Sequence, residues 1–486
     1  VYNFINLDKI SKWFYIKSEF DYIGLSAFYL IGLCLSIAVF ILFAHRWTIK
    51  PLAILLTILS GISTYFIAKY DVAIDTSMIV NALNTDTTEV RGLLSIQMVP
   101  YLIFLIILPV IVIYFVEITF SGKVKYLLGS ITLFASAIVL ALGLLYAQFN
   151  PIHRAGNTSK KYIIHQLIPV NHMRSIISVI QDYVNTYLPE QDIKEIEVSA
   201  HTSSQDNLVV VLAVGESARQ KNFSLYGYTR QNTNPILSKD KNLHLLNGVA
   251  KYGSTLYALP EILSKQDVPL ATITAKAGIN TACYSHFSLY DNCGTVGETR
   301  VSNCGHDGRC YDEDVIPLLN DNLKSYTSGY RFIVLHLGGG SHGPNYQKRY
   351  PPEFQRFHPM CLDADVVNKC TIDELYNSYD NTILYTDYVL GNIINELDNS
   401  GVPYVFIYLS DHGESLMEND RVFHGMPPGI PLPPEQKHVP LIVKSSIPLS
   451  IIERQEYRQP DVFDTILDLL SIESNITDKD GSFLKK

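Results

Sequence analysis

The sequence predicts a bundle of transmembrane α-helices followed by an α/β sandwich domain with a mostly parallel central sheet. Long uncharged apolar runs dominate residues 1–149, and short β-branched runs alternate with helical patterns in residues 206–486. Six of the 7 cysteines fall in the second part. Residues 150–205 form an amphipathic connector and linker. The formal net charge of -9 argues against nucleic-acid binding, which needs a basic face.

Four runs in the first part are long enough to cross a bilayer: Ile23–Ala44, Pro51–Ala68, Met98–Val116 and Tyr126–Ala147. The short loops 45–50 and 121–125 are basic and are therefore expected to be cytoplasmic, whereas loop 70–97 is mainly acidic and is expected outside. The chain after Ala147 then lies outside the cytoplasm. Because the first run points inward, residues 1–21 also lie outside, which predicts a further helix upstream of Val1.

The connector contains apolar residues at helical spacing within Ile163–Leu188, with polar residues between them. This pattern is typical of amphipathic helices that lie on a membrane surface, and equally of helices that pack against the soluble domain. Residues 190–207 are polar and predict a linker.

The cysteines of the second part are closely spaced, which is typical of disulfides in an oxidising compartment. Their local spacing suggests the pairs Cys283–Cys293, Cys304–Cys310 and Cys361–Cys370. A zinc site is the alternative, because Cys304 and Cys310 flank a histidine, but no CxxC pair occurs to favour it.

Continuous apolar runs predict strands that are buried on both faces of the sheet. These runs are Leu208–Val214, Phe332–Leu337, Tyr404–Leu409 and Val439–Val443, and a helix is predicted at Ile372–Leu397. Ligands of such sheets bind beyond the carboxyl ends of the strands. Polar residues follow three of these ends, and they are Glu216, His342, Asp411 and His412.

Carboxylates and histidines at strand ends are ligands that suit Zn²⁺ or Mn²⁺. His424, twelve residues after His412, is a further candidate. Each of these residues could by itself be structural, and their convergence on one edge favours a metal site. Ser254 and Thr255 offer hydroxyls that a metal could activate as nucleophiles, although such a pair is also an ordinary helix N-cap.

Several sequence blocks resemble the lipid A phosphoethanolamine transferases, a family of the alkaline phosphatase superfamily that includes the mobile colistin-resistance enzymes. The blocks are VGESARQKNFSLYGY, GGSHGPNYQKRYPPEF, YDNTILYTDYVL, SDHGESLMEND, FHGMP, KHVPLIV and the outer-loop segment DTSMIVNALNTDTTEVRGLL. The resemblance covers nearly the whole chain. It implies five transmembrane helices in the inner membrane of a Gram-negative bacterium and an alkaline-phosphatase-like catalytic domain in the periplasm.

The resemblance also implies roles for individual residues. Glu216, Thr255, Asp411 and His412 would hold a catalytic Zn²⁺, with Thr255 as the nucleophile. His342 and His424 would bind the substrate phosphate or a second Zn²⁺, or would serve the leaving step as acid and base. In the outer loop, Asn81, Thr85 and Glu89 match positions that contact the phosphoethanolamine head group, and their spacing places them on one helix face.

The chain departs from the family pattern at two places. Many relatives carry a cysteine pair around the nucleophile loop, where this chain has Lys251 and Glu261. The glycine run at residues 338–340 is longer than usual, so His336 is not matched to a family residue.

The expected reaction transfers phosphoethanolamine from phosphatidylethanolamine to a lipid A phosphate through a phospho-threonine intermediate. Its product would confer resistance to cationic peptides such as polymyxin. The expected partners are these two lipids and the membrane, and the chain is expected to be a monomer. The alternatives are a related transferase acting on a core sugar or another glycan, a glycerol-phosphate transferase, and a non-catalytic receptor. An intact Glu–Thr–Asp–His set speaks against the receptor.

Overall fold

A computed structural model describes the chain at residues 2–16, 19–43, 45–70, 96–119, 123–158, 162–172, 174–175, 177–178, 198–204, 206–285, 289, 292–301, 310–338, 340–363, 365–478 and 480–485. The chain forms two compact units, one of residues 1–191 with 427–431 and one of residues 192–426 with 432–486.

The first unit contains the long apolar helices. Four helices among the described residues are long and apolar enough to cross a membrane: α1 (Tyr22–Leu42), α2 (Ile49–Tyr70), α3 (Met98–Phe115) and α4 (Val124–Ala147). The four predicted spans are therefore confirmed as helices. Cys34 and Ala38 of α1 pack against Ala137 and Ala141 of α4. Small side chains let two helices approach closely, which is how helices associate in lipid.

Short helices flank these spans at Tyr2–Ile5, Leu7–Ser11, Phe149–Thr158 and Tyr162–His165. Ile163 and Leu167, two of the periodic apolar residues of the connector, are buried in a cluster with Leu25 and Phe28 of α1. Their apolar side chains therefore pack within the first unit. Helical spacing shows that a face is apolar without showing what covers it, and the packing supplies that information for these two residues.

The second unit is built on an eight-stranded sheet with the order β8–β2–β7–β6–β1–β5–β3–β4. Its strands are β1 (Leu208–Gly215), β2 (His244–Val249), β3 (Asn280–Ser285), β4 (Thr299–Arg300), β5 (Tyr330–Leu337), β6 (Tyr404–Ser410), β7 (His438–Ser445) and β8 (Tyr457–Arg458). Strand β1 runs parallel to β5 and β6, whereas β7 runs antiparallel to β6 and β2. The predicted mostly parallel sheet is confirmed, with β7 as its antiparallel member.

Helices cover the sheet, and every residue of β1 is therefore buried. The main helices of this unit are α5 (Thr255–Leu263), α6 (Leu270–Lys276), α7 (Ile316–Lys324), α8 (Ile372–Asn399) and α9 (Gln459–Leu469). Apolar side chains of α5, α6 and α9 pack on one face of β1, against Val210, Leu212 and Val214. Hydrogen bonds join α8 to the segments that follow β1 and β5.

Small two-stranded sheets complete the described structure. They pair Tyr15–Ile16 with Glu19–Phe20, Ala200–Thr202 with Ile472–Ser474, Ser264–Lys265 with Val268–Pro269, and Ser415–Leu416 with Val422–Phe423.

Disulfides join Cys283 to Cys293 and Cys361 to Cys370, as the spacing predicted. Cys310 is also disulfide-bonded, and its predicted partner, Cys304, lies outside the described residues. Because the sulfurs of Cys283, Cys293, Cys310, Cys361 and Cys370 are all in disulfides, they are not available as zinc thiolates. Cys34, in the first unit, is a free buried cysteine.

Candidate active site

Three neighbouring parallel strands end side by side and bring the predicted polar residues together. In the register of the sheet, Gly215 of β1 pairs with Leu337 of β5 and with Ser410 of β6. Glu216 and the Asp411–His412 pair follow two of these residues directly. The sheet therefore sets acidic and imidazole groups from separate parts of the chain at one edge, as expected for a parallel sheet.

Glu216, Asp411 and His412 are almost completely buried, at 7%, 0% and 0% exposure. Nε2 of His412 lies 3.2 Å from Oδ2 of Asp411 and 3.7 Å from Oε1 of Glu216. The other ring nitrogen, Nδ1, lies 3.0 Å from the carbonyl oxygen of Gly413. Because that carbonyl can only accept, it fixes Nδ1 as the protonated nitrogen and leaves Nε2 as the donor atom that faces the carboxylates.

Thr255 begins helix α5, directly after the N-cap residue Ser254. Its hydroxyl donates a hydrogen bond to Oε2 of Glu216 at 2.8 Å and lies 3.5 Å from Nε2 of His412. The structure therefore places the Thr255 hydroxyl among the strand-end groups. A helix amino terminus beside it adds a favourable dipole for a bound phosphate.

His342 and His424 lie next to this group. Nδ1 of His342 is 3.8 Å from Oε1 of Glu216, and the His424 ring centre lies 4.7 Å from that of His342 and 4.3 Å from that of His412. Ligand atoms of Glu216, His412 and His424 all lie within 4.8 Å of one another. Both histidines are therefore close enough to share a substrate phosphate with the strand-end residues.

Glu414 is a member of the site that the sequence pattern did not single out. It is fully buried, and its Oε2 lies 2.6 Å from Nδ1 of His424. Its Oε1 accepts hydrogen bonds from the Tyr346 hydroxyl at 3.0 Å and from the backbone N–H of Gly343 at 3.3 Å. Glu414 thus orients His424 and anchors the loop that carries His342. Glu414 stands two residues after His412, and this closeness in the sequence was the signal that could have identified it.

The buried acidic groups perturb one another. Burial raises the pKa of Asp411, and the negative charge of Glu216 raises it further. For Glu216, burial acts to raise the pKa, but the charges of His412, His342 and His424 outweigh it and lower the pKa. Burial also raises the pKa of Glu414, to about 7. Such opposed shifts within one cluster are typical of a functional site.

The donor atoms fit a tetrahedral zinc ion. Ligands at the usual zinc distances stand about 3.3 Å apart. The contacts from the Thr255 hydroxyl to Glu216 and to His412, and those from His412 to the two carboxylates, span 2.8 to 3.7 Å. Oδ2 of Asp411 is buried and has no hydrogen-bond partner among the described residues, so it is available to a cation.

An ion pair brackets the segment that contains Thr255, at the two positions where the sequence was expected to depart from the family pattern. Nζ of Lys251 lies 3.0 Å from both carboxylate oxygens of Glu261. Lys251 also lies over the Tyr252 ring, with Nζ 5.0 Å from its centre. Thr255 lies between the two charged residues in the chain, so this ion pair ties together the segments on either side of it.

The remaining predicted site residues cannot be placed. Asn81, Thr85 and Glu89 lie outside the described residues. His336, which was not assigned to the site, is buried within β5, where it pairs with Val214 of β1.

Comparisons with known proteins first define a class. The sulfatase family profile matches residues 208–472, which contain all of the strand-end groups. Together with the sheet and the donor set, this match makes the second unit a domain of the alkaline phosphatase superfamily, attached to helices that are able to span a membrane.

More specific matches cover both units. The profile of the phosphoethanolamine transferases EptA/EptB matches residues 32–184. The chain is 33% identical to the phosphoethanolamine transferase EptA of Helicobacter pylori, over 87% of this chain and 81% of that protein. It is 28% identical to the phosphatidylethanolamine transferase Mcr-1 of Escherichia coli, over 90% and 86% of the respective chains.

Among solved structures, the integral membrane lipooligosaccharide phosphoethanolamine transferase A of Neisseria meningitidis matches with a TM-score of 0.87 at 25% identity, covering 99% of this chain and 95% of that one. The chain therefore belongs to the family of lipid A phosphoethanolamine transferases.

Proposed function

We propose that this protein transfers phosphoethanolamine from phosphatidylethanolamine to a phosphate group of lipid A. The observation that carries the proposal is the Thr255 hydroxyl, held at 2.8 Å from Glu216 and beside the Asp411–His412 pair at the carboxyl edge of the sheet. Membership of the family supports the donor and the acceptor. The basic and acidic loops between the apolar helices support an inner-membrane protein whose catalytic domain is periplasmic.

The fit of the donor set supports a metal-dependent reaction. Glu216, Thr255, Asp411 and His412 would hold one Zn²⁺, which when bound would lower the pKa of the Thr255 hydroxyl and stabilise charge on the phosphoryl oxygens. His342 and His424 would take the substrate phosphate or a second Zn²⁺.

In the first half of the reaction the Thr255 oxygen attacks the phosphorus of phosphatidylethanolamine. The new bond joins Oγ1 to phosphorus, and the bond from phosphorus to the diacylglycerol oxygen breaks. His342, the predicted base, takes the hydroxyl proton, because Glu216 would be committed to the metal and the neighbouring histidine charges lower its pKa. His424, oriented by Glu414, gives a proton to the departing diacylglycerol oxygen.

In the second half a lipid A phosphate oxygen attacks the phosphorus of phosphoethanolamine-threonine. The bond from phosphorus to Oγ1 breaks, and Thr255 recovers its proton from His342. The proton of the attacking phosphate replaces the one that His424 gave to diacylglycerol. The product carries an added amine, which lowers the negative charge of the outer surface and weakens the binding of cationic peptides such as polymyxin. Asn81, Thr85 and Glu89 remain predicted contacts of the ethanolamine head group.

The test is mass spectrometry of lipid A from cells that express the wild-type protein, Thr255→Ala or Thr255→Ser. We expect a phosphoethanolamine adduct with the wild type, a reduced amount with the serine variant, which keeps a hydroxyl, and none with the alanine variant. An adduct that persists with Thr255→Ala would refute Thr255 as the nucleophile. An adduct found on a core sugar instead of lipid A would assign the protein to the related transferases with another acceptor.

A further inference from the structure

Ser217, the residue after Glu216, has an unusual backbone conformation. Its φ is 57°, in the left-handed region that residues other than glycine rarely adopt. Ser217 is also fully buried. Glycine would take this conformation without the steric penalty. A serine at such a position therefore indicates that its hydroxyl has a task that offsets the penalty.

All three polar groups of Ser217 are used. Its hydroxyl donates to Oε1 of Glu216 at 2.6 Å and lies at the longer distance of 3.4 Å from Nδ1 of His424. Its backbone N–H donates to Oδ1 of Asp411 at 3.0 Å. Its carbonyl oxygen accepts a hydrogen bond of 2.7 Å from the Tyr379 hydroxyl of helix α8. The left-handed turn thus lets one residue hold two carboxylates that follow different strands, and α8 holds that residue in place.

Ser217 bonds one oxygen of each carboxylate and leaves the other oxygen to different partners. Ser217 takes Oε1 of Glu216 and Oδ1 of Asp411. The other oxygens face the reacting groups, because Oε2 of Glu216 accepts the Thr255 hydroxyl and Oδ2 of Asp411 lies 3.2 Å from Nε2 of His412. Because Oε1 of Glu216 also lies 3.7 Å from Nε2 of His412 and 3.8 Å from Nδ1 of His342, the bond from Ser217 fixes the orientation of the whole carboxylate towards the site.

We propose that Ser217 is a positioning residue, whose hydroxyl and left-handed backbone hold Glu216 and Asp411 as a preformed pair of metal donors. The proposal rests on the metal site put forward under the proposed function. It assigns the hydroxyl to the orientation of Glu216 and the backbone N–H to the orientation of Asp411, with no direct contact between Ser217 and the substrate.

Two variants separate the hydroxyl from the backbone. Ser217→Gly removes the hydroxyl and relieves the left-handed backbone, whereas Ser217→Ala removes the hydroxyl and keeps the strain. Gln266→Gly is the matched control, because Gln266 has a φ of 51° in an exposed turn. It relieves a left-handed residue without touching the site.

The measurement is the affinity of the full-length protein, in detergent, for Zn²⁺ alone, by competition with a chelating dye, with melting temperatures recorded in the presence of chelator. We expect the zinc Kd to rise about 10- to 100-fold in both Ser217 variants, as for other residues that orient metal ligands. The melting temperature should be unchanged or higher in Ser217→Gly and lower in Ser217→Ala. Gln266→Gly should keep the wild-type Kd.

A Ser217→Gly protein with the wild-type zinc Kd would overturn this role for the hydroxyl and leave the proposed metal site intact. A wild-type protein that binds no Zn²⁺ would refute the metal site itself, so the two failures are distinguishable. Because zinc binding is measured without lipid substrate, neither outcome depends on the identity of the acceptor.

Discussion

Replacing Glu414 by glutamine tests how the site holds His424. The carboxylate is fully buried and bonds His424 at 2.6 Å through Oε2, while Oε1 accepts from Tyr346 at 3.0 Å and from the N–H of Gly343 at 3.3 Å. Glutamine has the same shape but one acceptor oxygen and one donor amide. If the NH₂ group of the glutamine faces Gly343, it meets the backbone N–H, and two donors oppose each other. If the NH₂ group faces His424, Nδ1 must become an acceptor, so the imidazole must change tautomer.

The expected loss of kcat follows from the weakened hydrogen bond between residue 414 and His424. A buried hydrogen bond to a charged group is worth about 1.5–3 kcal/mol, and each 1.4 kcal/mol is about tenfold in rate. We therefore expect kcat of Glu414→Gln to fall by about 10- to 100-fold. KM should change little, because Glu414 orients a proton donor and does not itself touch the lipid.

The assay is release of fluorescent diacylglycerol from labelled phosphatidylethanolamine by the full-length protein in detergent. Glu456→Gln is the matched control, since Glu456 is 45% exposed and its 3.0 Å pair with Lys437 lies on the surface. Tyr346→Phe removes one hydrogen bond to Glu414 and keeps the charge, so its loss should be smaller. A folded Glu414→Gln protein with kcat within about threefold of the wild type would refute this account of His424.

Three further predictions concern stability. Burial raises the pKa of Asp387 to about 6, while the N–H groups of Ile236 and Leu237 act to lower it. Protonated Asp387 stabilises the folded protein fully below its ordinary pKa of 3.8, and this stabilisation is lost as pH rises through about 6. When pH is lowered from 7 to 5, the unfolding free energy of the wild type in urea should therefore gain about 1 kcal/mol relative to that of Asp387→Asn. A difference that stays constant with pH would contradict this. The pair of Lys251 and Glu261 should have a coupling energy below about 1 kcal/mol in a double-mutant cycle, because Lys251 is 58% exposed. A larger coupling energy that does not fall with added salt would contradict this. Replacing both cysteines of the 361–370 disulfide by alanine, which opens a loop with a sequence separation of 9, should lower the unfolding free energy by about 2.5 kcal/mol, and an unchanged denaturation midpoint would refute this.

The predictions that succeeded rest on local regularities. A run such as Leu208–Val214 is apolar at every position, which only a strand covered on both faces tolerates, and it proved to be β1 with every residue buried. The four long apolar helices were predictable for a similar reason, since crossing a bilayer requires a minimum length of apolar chain. The disulfides of Cys283 and Cys361 with their near neighbours followed from short spacing.

Local sequence patterns did not predict the contacts between distant parts of the chain. Val439–Val443 reads like the parallel strands, but it lies in β7, which runs antiparallel to both neighbours. Strand direction is decided by how the connecting segments pack. Ile163 and Leu167 showed an apolar face, and only the packing showed that residues of α1 cover it.

The sequence by itself determined that this chain has helices long and apolar enough to span a membrane, a mostly parallel sheet, and acids and histidines at the strand ends. Those features depend on residue types and their periodicity. The tertiary structure decided which atoms meet: Thr255 with Glu216, Glu414 with His424, and Ser217 with two carboxylates. Such contacts join residues up to 194 positions apart. They depend on strand register and on one left-handed backbone angle, which no local pattern of residues specifies.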